Sequence, residues 1–398
     1  MIYLLLLFLL LYLSYRYDYR KNIAYFDASY YLILILFILL AGFRFRIGVD
    51  TIRYESYAEY IPSLYNIGYY DFILLGYEPL YFLLSSFART LSNEFWVMQL
   101  LQATLVNVVF FRFVRNNSKN PFFAILVYYI FLYLNYTCEV MRESCAVSMF
   151  LLGWEYLKRD KWLIFTLFCL LAIGFHISAI VLLSIPLMKI MGLWNIIHVN
   201  RNTIIIAFVV FFIGTILQQY IFDYLISLNI DGISTKAISY SKKDLSGSTI
   251  NIIGIIATIV RNSFYPFIAT LYLKQNGLLE KNWEQIIFLS LCVTILTIPI
   301  SLMYRYNNYF FPFALIILSN VVYTRSVRLK KRVIKVSSYM VWFIILIPMF
   351  FFQLKIYTSN IDNNSRYKNY MRYYPYSSIF TKEIDKDREY LFNYYNAF

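Results

Sequence analysis

The sequence predicts an all-α fold, a polytopic transmembrane bundle of about 12 to 14 helices, because apolar runs near the ~20 residues that cross a bilayer recur along the whole chain. Composition and backbone chemistry agree. Of 398 residues, 60% are hydrophobic and 15% charged, and the mean hydropathy of +0.58 exceeds what a soluble core hides. Twelve glycines and nine prolines are few for this length, which suits long helices that satisfy their own amides, and the alternation of a membrane barrel is absent. The pattern predicts one integral membrane domain over residues 1–356 and a polar, Tyr-rich tail over 357–398.

Residues 1–15 are apolar with no basic residue before them, and Arg16, Arg20 and Lys21 follow, the reverse of a secretory signal. This reads as an uncleaved first span with its N-terminus outside. The span 30–43 returns outward and opens a polar stretch, 44–77, read as a long external loop. Residues 78–91 are apolar on one face and short, which suits an interfacial or re-entrant helix. Further spans are expected at 95–111, 121–137, 140–157, 162–174, 175–190, 203–225, 250–273, 285–303, 309–323 and 336–356.

Basic residues favour cytoplasmic loops, and this trace puts Arg112, Arg115, Lys119, Lys158, Arg159, Lys161 and the run 325–335 inside. It puts 44–77, the turns at Met141 and Phe175, the loop 229–249, residues 304–308 and the tail outside. The net charge of +14 sits in short loops, which points to anionic lipid or pyrophosphate and away from nucleic acid. Cys138 and Cys145 are placed on one predicted helix, about 10 Å apart along its axis, too far to pair. With two histidines and no Cys/His cluster, neither a metal nor a cofactor is expected, and His198 receives no role.

Candidate chemistry gathers at the outer ends of spans. Arg44, Arg46 and Arg53 surround Asp50 where a helix leaves the membrane. Singly they read as snorkelling residues; together they suit a membrane-edge phosphate, which guanidinium groups bind with paired hydrogen bonds. Arg142 lies at a helix start between Glu139 and Glu143, an arrangement also typical of a structural ion pair. His176 stands between two apolar helices, where a packing role is equally common. Arg261, deep in an apolar helix, requires a polar surrounding, and Arg305 is again at an outer end. Asp385, Lys386 and Asp387 spell a two-carboxylate motif that reads as coincidence in a charged tail.

In order along the chain, Phe43-Arg44, Gly48, Asp50 and Tyr54, then Glu78-Pro79, Met141-Arg142 with Ala146, Phe175-His176 with Ser178-Ala179, Arg305, and the tail Tyr374-Pro375-Tyr376-Ser377-Ser378 resemble the EpsG family of Wzy-like membrane polysaccharide polymerases. One departure is Glu143, where glutamine is expected, and its charge stands to neutralise Arg142. The resemblance implies a GT-C-like bundle in a bacterial inner membrane, its active site facing the periplasm or exterior. It implies transfer of a glycan from undecaprenyl pyrophosphate to a sugar hydroxyl on a second lipid-linked repeat unit, with membrane lipid around it and a chain-length regulator and a flippase as companion proteins. Arg44, Arg46, Arg53, Tyr54, Glu78, Arg142, Arg261 and Arg305 are then substrate-binding, and Asp50 or His176 is the base. A monosaccharide transferase using a polyprenyl monophosphate, a lipid-linked oligosaccharide flippase and a membrane O-acyltransferase are the alternatives.

Overall fold

Helices form every regular element among the described residues except one short hairpin, in agreement with the all-α class. The computed structural model describes residues 2–68, 71, 76–200, 202–227, 259–300, 304–323, 327–329, 332–334, 338–361 and 366–396. The chain divides into two compact units, Met1–Leu187 with Phe350–Phe398, and Met188–Met349.

The first unit begins with α1 (Ile2–Leu13), continued by a π-turn over Ser14–Tyr19, and α2 (Phe26–Gly42). Next come α3 (Val49–Ala58), α4 (Pro79–Leu91), α5 (Phe95–Asn117) and α6 (Pro121–Tyr128). After π-turns over Tyr129–Tyr133 and Asn135–Glu139 follow α7 (Met141–Leu157) and α8 (Trp162–Phe175). Helix α2 packs on α5, α5 on α7, and α7 on α8. Close packing of α2 on α5 needs Gly42, since a Cβ there would lie 3.0 Å from the Leu100 Cα. The shared core is aromatic: the Tyr128 and Phe110 rings stack at 3.8 Å, and those of Phe37 and Tyr133 are 4.5 Å apart. Buried tyrosines are tolerated where the hydroxyl finds an acceptor, Tyr133 donating to the Phe37 carbonyl at 2.6 Å and Tyr30 to the Phe111 carbonyl at 2.7 Å.

Among the described residues, two helices are by themselves long and apolar enough to cross a membrane, Ile2–Tyr19 and Phe95–Asn117. Phe26–Gly42, Pro121–Tyr133, Trp162–Phe175, Ile177–Ile190 and Asn202–Gln218 are apolar but shorter, so the larger expected number of spans is not reached by length alone.

Three expectations change. The polar stretch 44–77 is not simply a loop, since it contains α3. Gly48, at φ +90°, turns the chain into that helix, and the Glu139 carboxylate accepts from the first amides of Val49 and Asp50 at 3.3 and 3.2 Å. A distant side chain thereby fills the place of a local N-cap. Second, the chain breaks at Val140, so Cys138 and Cys145 lie on separate elements and not on one helix; both are free and buried. Third, residues 175–190 do not make one α-helix but a 3-10 stretch, Ile177–Leu183, and a short α9 (Ser184–Ile190).

The second unit contains α10 (Asn202–Ser227), a π-turn over Val260–Phe264, α11 (Tyr265–Gln275), α12 (Lys281–Leu296), α13 (Tyr306–Tyr323) and the hairpin of β1 (Val327–Leu329) and β2 (Arg332–Ile334). Its buried acid is Glu284, which takes the Val199 amide at 2.5 Å and the Lys274 ammonium, with the His198 ring 3.7 Å away. The loop 229–249 and much of the basic run 325–335 lie outside the described residues.

Helix α14 (Ser338–Thr358) leads back to the first unit and to a tail that is built into it, ending in α15 (Lys386–Asn396). The Phe45 amide donates to the Ser377 carbonyl at 2.9 Å, Ile379 to Phe43 at 3.0 Å, and Gly48 to Arg372 at 2.9 Å. Asp385 caps α15 by accepting the Arg388 amide at 2.9 Å, a structural use for one carboxylate of the Asp-Lys-Asp sequence. Arg388 itself is buried and donates to the Arg46 carbonyl at 3.1 Å and to that of Pro375.

Gly48→Ala is expected to place a Cβ 2.5 Å from the Cys138 carbonyl oxygen and to strain a left-handed backbone at a cost of about 1–3 kcal/mol or more. Thermal unfolding in detergent should drop by several degrees, and an unchanged midpoint would refute the tight docking of α3.

Candidate functional site

Helices α3, α4 and α7 each bring one end to a single place in the first unit. The register of α3 is set by the Glu139 cap and by Thr51, whose hydroxyl donates to the Cys138 carbonyl at 2.6 Å. That register turns Tyr54 toward the start of α7. There Arg142 donates Nε to the Tyr54 hydroxyl at 3.1 Å and Nη1 to Glu78 Oε2 at 2.8 Å. Its guanidinium also lies over the rings of Tyr77 and Tyr54, 5.3 and 5.8 Å from their centroids.

Arg142 stands in the first turn of α7, where unsatisfied amides make the helix end positive. A cation there is disfavoured until an anion joins it, and Glu78, the residue before α4, supplies one. The other Glu78 oxygen accepts the Ile177 amide at 3.2 Å, tying in the turn after α8. In that turn the His176 Nδ1 accepts the Ser178 amide at 3.1 Å and lies 2.6 Å from the Ser178 hydroxyl. The Arg142 and Glu78 side chains keep 26% and 15% of their surface, so a solute reaches both. No described residue takes the Arg142 Nη2.

Asp50 sits one turn before Tyr54 on the same face of α3. Burial pushes the Tyr54 hydroxyl pKa up, Arg142 opposes it, and the Asp50 charge adds to it. Burial and then Asp50 likewise push the Glu139 carboxyl above its ordinary 4.5, while Arg372 pulls it down. Beneath Tyr54, Tyr77 and Tyr81 a narrow cleft, about 370 Å³ when counted with its open mouth, continues past Ala58, Ser85 and Met98.

The structure therefore gathers Asp50, Tyr54, Glu78, Arg142 and the His176 turn, and places the other candidates elsewhere. Arg44 is buried under the tail, with Nη1 on the Ala41 carbonyl and Nη2 3.4 Å from Thr51 Oγ1 and 3.5 Å from Met141 Sδ. Arg46 pairs with Glu55 at 3.0 Å and Glu389 at 3.1 Å, joining the loop to α3 and α15. Arg53 is exposed over the Tyr57 ring at 5.8 Å. Arg305 belongs to the second unit, its Nε 3.3 Å from the Tyr304 hydroxyl, and the Arg261 side chain lies outside the described residues. The partner of Arg142 is Glu78, not a flanking acid: Glu139 caps α3, and Glu143 is buried in α7.

Sequence reasoning passed over Tyr77, Glu139, Arg372 and Arg388 as site-shaping residues. Tyr77 adjoins Glu78-Pro79 and was within reach of that signal. Glu139 offers no local signal, because the amides it caps lie 90 and 89 positions earlier.

A profile of the EpsG family matches residues 27–378, from the start of α2 to the residue of the tail that bridges to Arg44. The chain belongs to the EpsG family. EpsG membership makes it a membrane protein of polysaccharide biosynthesis, of the glycan-polymerase type. No curated protein and no solved structure matches the chain. The EpsG match spans every element that builds the Arg142 cluster, while α15 falls beyond it.

Because the folded Glu139 pKa is raised, its protonated form stabilises the fold fully below pH 4.5, and that contribution is lost as pH rises through the raised value. Glu139→Gln keeps a neutral acceptor and should abolish this decline. Unfolding midpoints measured across that pH range for both proteins decide it, and parallel curves would refute the assignment.

Proposed function

We propose that this EpsG-family protein is an oligosaccharide repeat-unit polymerase, a bundle of about 12 to 14 GT-C-like membrane helices in the bacterial inner membrane with its site at the outer face. It transfers a glycan from undecaprenyl pyrophosphate to a sugar hydroxyl on another lipid-linked repeat unit. The observation that carries this reading is Arg142 held between Tyr54 and Glu78, partly exposed, at a helix N-terminus, with Asp50 one turn before Tyr54 on α3.

In the transfer the bond from the anomeric carbon to the pyrophosphate oxygen breaks, and its electron pair stays on the leaving pyrophosphate. The acceptor hydroxyl oxygen bonds to that carbon and its proton goes to a base. Glu78 and Tyr54 fix the plane of Arg142, whose Nη2 edge and helix N-terminus meet the charge growing on the leaving group. Asp50 is assigned as the base. The His176 Nδ1 accepts an amide, so the neutral ring carries its proton on Nε2 and serves as a donor. Tyr77, partly exposed beside Arg142, gives the lipid-proximal sugar an apolar face.

Purified protein incubated with a synthetic lipid-linked repeat unit should yield a ladder of polymer. Arg142→Lys keeps charge and loses the planar fork, and should slow the ladder about 10²–10³-fold. Asp50→Asn should cost about 10²–10⁴-fold, with the protein still folded, and His176→Gln should cost far less than Asp50→Asn. Transfer of one sugar only, from a polyprenyl monophosphate, would replace the reading, and full activity of Asp50→Asn would remove the assigned base.

A further inference from the structure

Helix α3 borders a second cleft along the neighbouring stripe of its surface. Tyr54 and Ala58 face the Arg142 cluster, whereas Thr51 and Glu55, again one turn apart, line a separate opening of about 460 Å³ counted with its mouth. Phe45, Phe95 and Trp96 supply aromatic surface, and Arg44, Arg46, Glu55, Glu94, Gln99 and Lys382 supply polar groups. Glu94 and Phe95 border both clefts, so the start of α5 separates them.

The chemistry of this cleft differs from that around Arg142. Its three cations face two carboxylates, and the strongest of them are already occupied: Arg46 is paired with Glu55 and Glu389, and the Arg44 Nη groups are held by Ala41, Thr51 and Met141. That leaves little field for a polyanion. What remains is a near-neutral mixture of rings and planar bidentate groups, and one donor stands out. The Arg44 Nε is buried and has no acceptor among the described residues, and Gln99, itself buried, lines the same cleft. A buried donor left without a partner is costly, and a ligand hydroxyl relieves it.

Flat apolar rings beside guanidinium, amide and carboxylate groups suit a sugar ring, whose faces carry C–H bonds and whose rim carries paired hydroxyls. We propose that this cleft is a second glycan subsite, binding a neutral, hydroxyl-rich sugar of the repeat unit through Trp96, the Arg44 Nε and Gln99, with Lys382 of the tail at its rim. The assignment rests on the polymerase reading: the Arg142 side takes the pyrophosphate-linked sugar and the Trp96 side takes the other glycan. The tail then has a direct part in recognition, since Ile379 and Lys382 close the cleft.

The test uses full-length protein in detergent and two probes, the oligosaccharide released by mild acid from the host's own lipid-linked repeat unit, and inorganic pyrophosphate. Calorimetry should show that Trp96→Leu weakens the free oligosaccharide about tenfold or more, and that Lys382→Ala, an exposed change that spares folding, weakens it several-fold. Pyrophosphate should bind both variants as it binds the unaltered protein and should not displace the oligosaccharide. Unchanged oligosaccharide binding in both variants, absence of such binding in the unaltered protein, or displacement by pyrophosphate would overturn the subsite. Failure of the polymerase reading shows separately, as absence of a polymer ladder from the unaltered protein.

Discussion

The site depends on how the first turn of α3 is held. A ten-residue helix between polar segments has little stability of its own, because its nucleus is costly and its first amides have no intrahelical partner. Here those amides meet the Glu139 carboxylate, Gly48 lies against the Cys138 carbonyl, and Thr51 donates to the same carbonyl. A neutral hydrogen bond contributes about 0.5–1.5 kcal/mol, and one in which a charge takes part about 1.5–3 kcal/mol. Together they fix one rotation of α3, and that rotation decides which residues face Arg142 and which face the Trp96 cleft.

The Arg142–Glu78 pair illustrates a balance suited to binding. A half-buried charged hydrogen bond contributes about 1.5–3 kcal/mol, while a solvated ion pair contributes about 0–1 kcal/mol. The pair is strong enough to hold the guanidinium in one plane and too weak to exclude a pyrophosphate, which brings more charge and more acceptor oxygens. Glu78 keeps a second hold on the Ile177 amide, so its place is preserved when phosphate approaches.

Two arginines do scaffold work that their sequence positions disguise. Arg46 bridges Glu55 and Glu389, and Arg388 binds the Arg46 carbonyl from the tail side. Burial lowers the Arg388 pKa while Asp385 opposes the shift, and the cation is tolerated because carbonyls surround it. The tail is thus a wall of the first unit, although its composition alone resembles a solvated appendage.

The sequence by itself determined the helical class, the membrane setting and the family, because each rests on hydropathy over long windows or on the order of short motifs. It also marked Asp50, Tyr54, Glu78, Arg142 and His176 as candidates, since polar residues at the ends of apolar helices stand out in one dimension. Tertiary structure alone decided their roles. It paired Arg142 with Glu78 across 64 positions and not with the acids beside it, turned the Arg44 Nη groups and Arg46 to scaffold contacts, and gave Glu139 a capping task. The physical reason is common to all three. An arginine or a carboxylate looks the same in sequence whether it meets solvent, a ligand or a carbonyl, and which it meets depends on contacts between segments far apart in the chain.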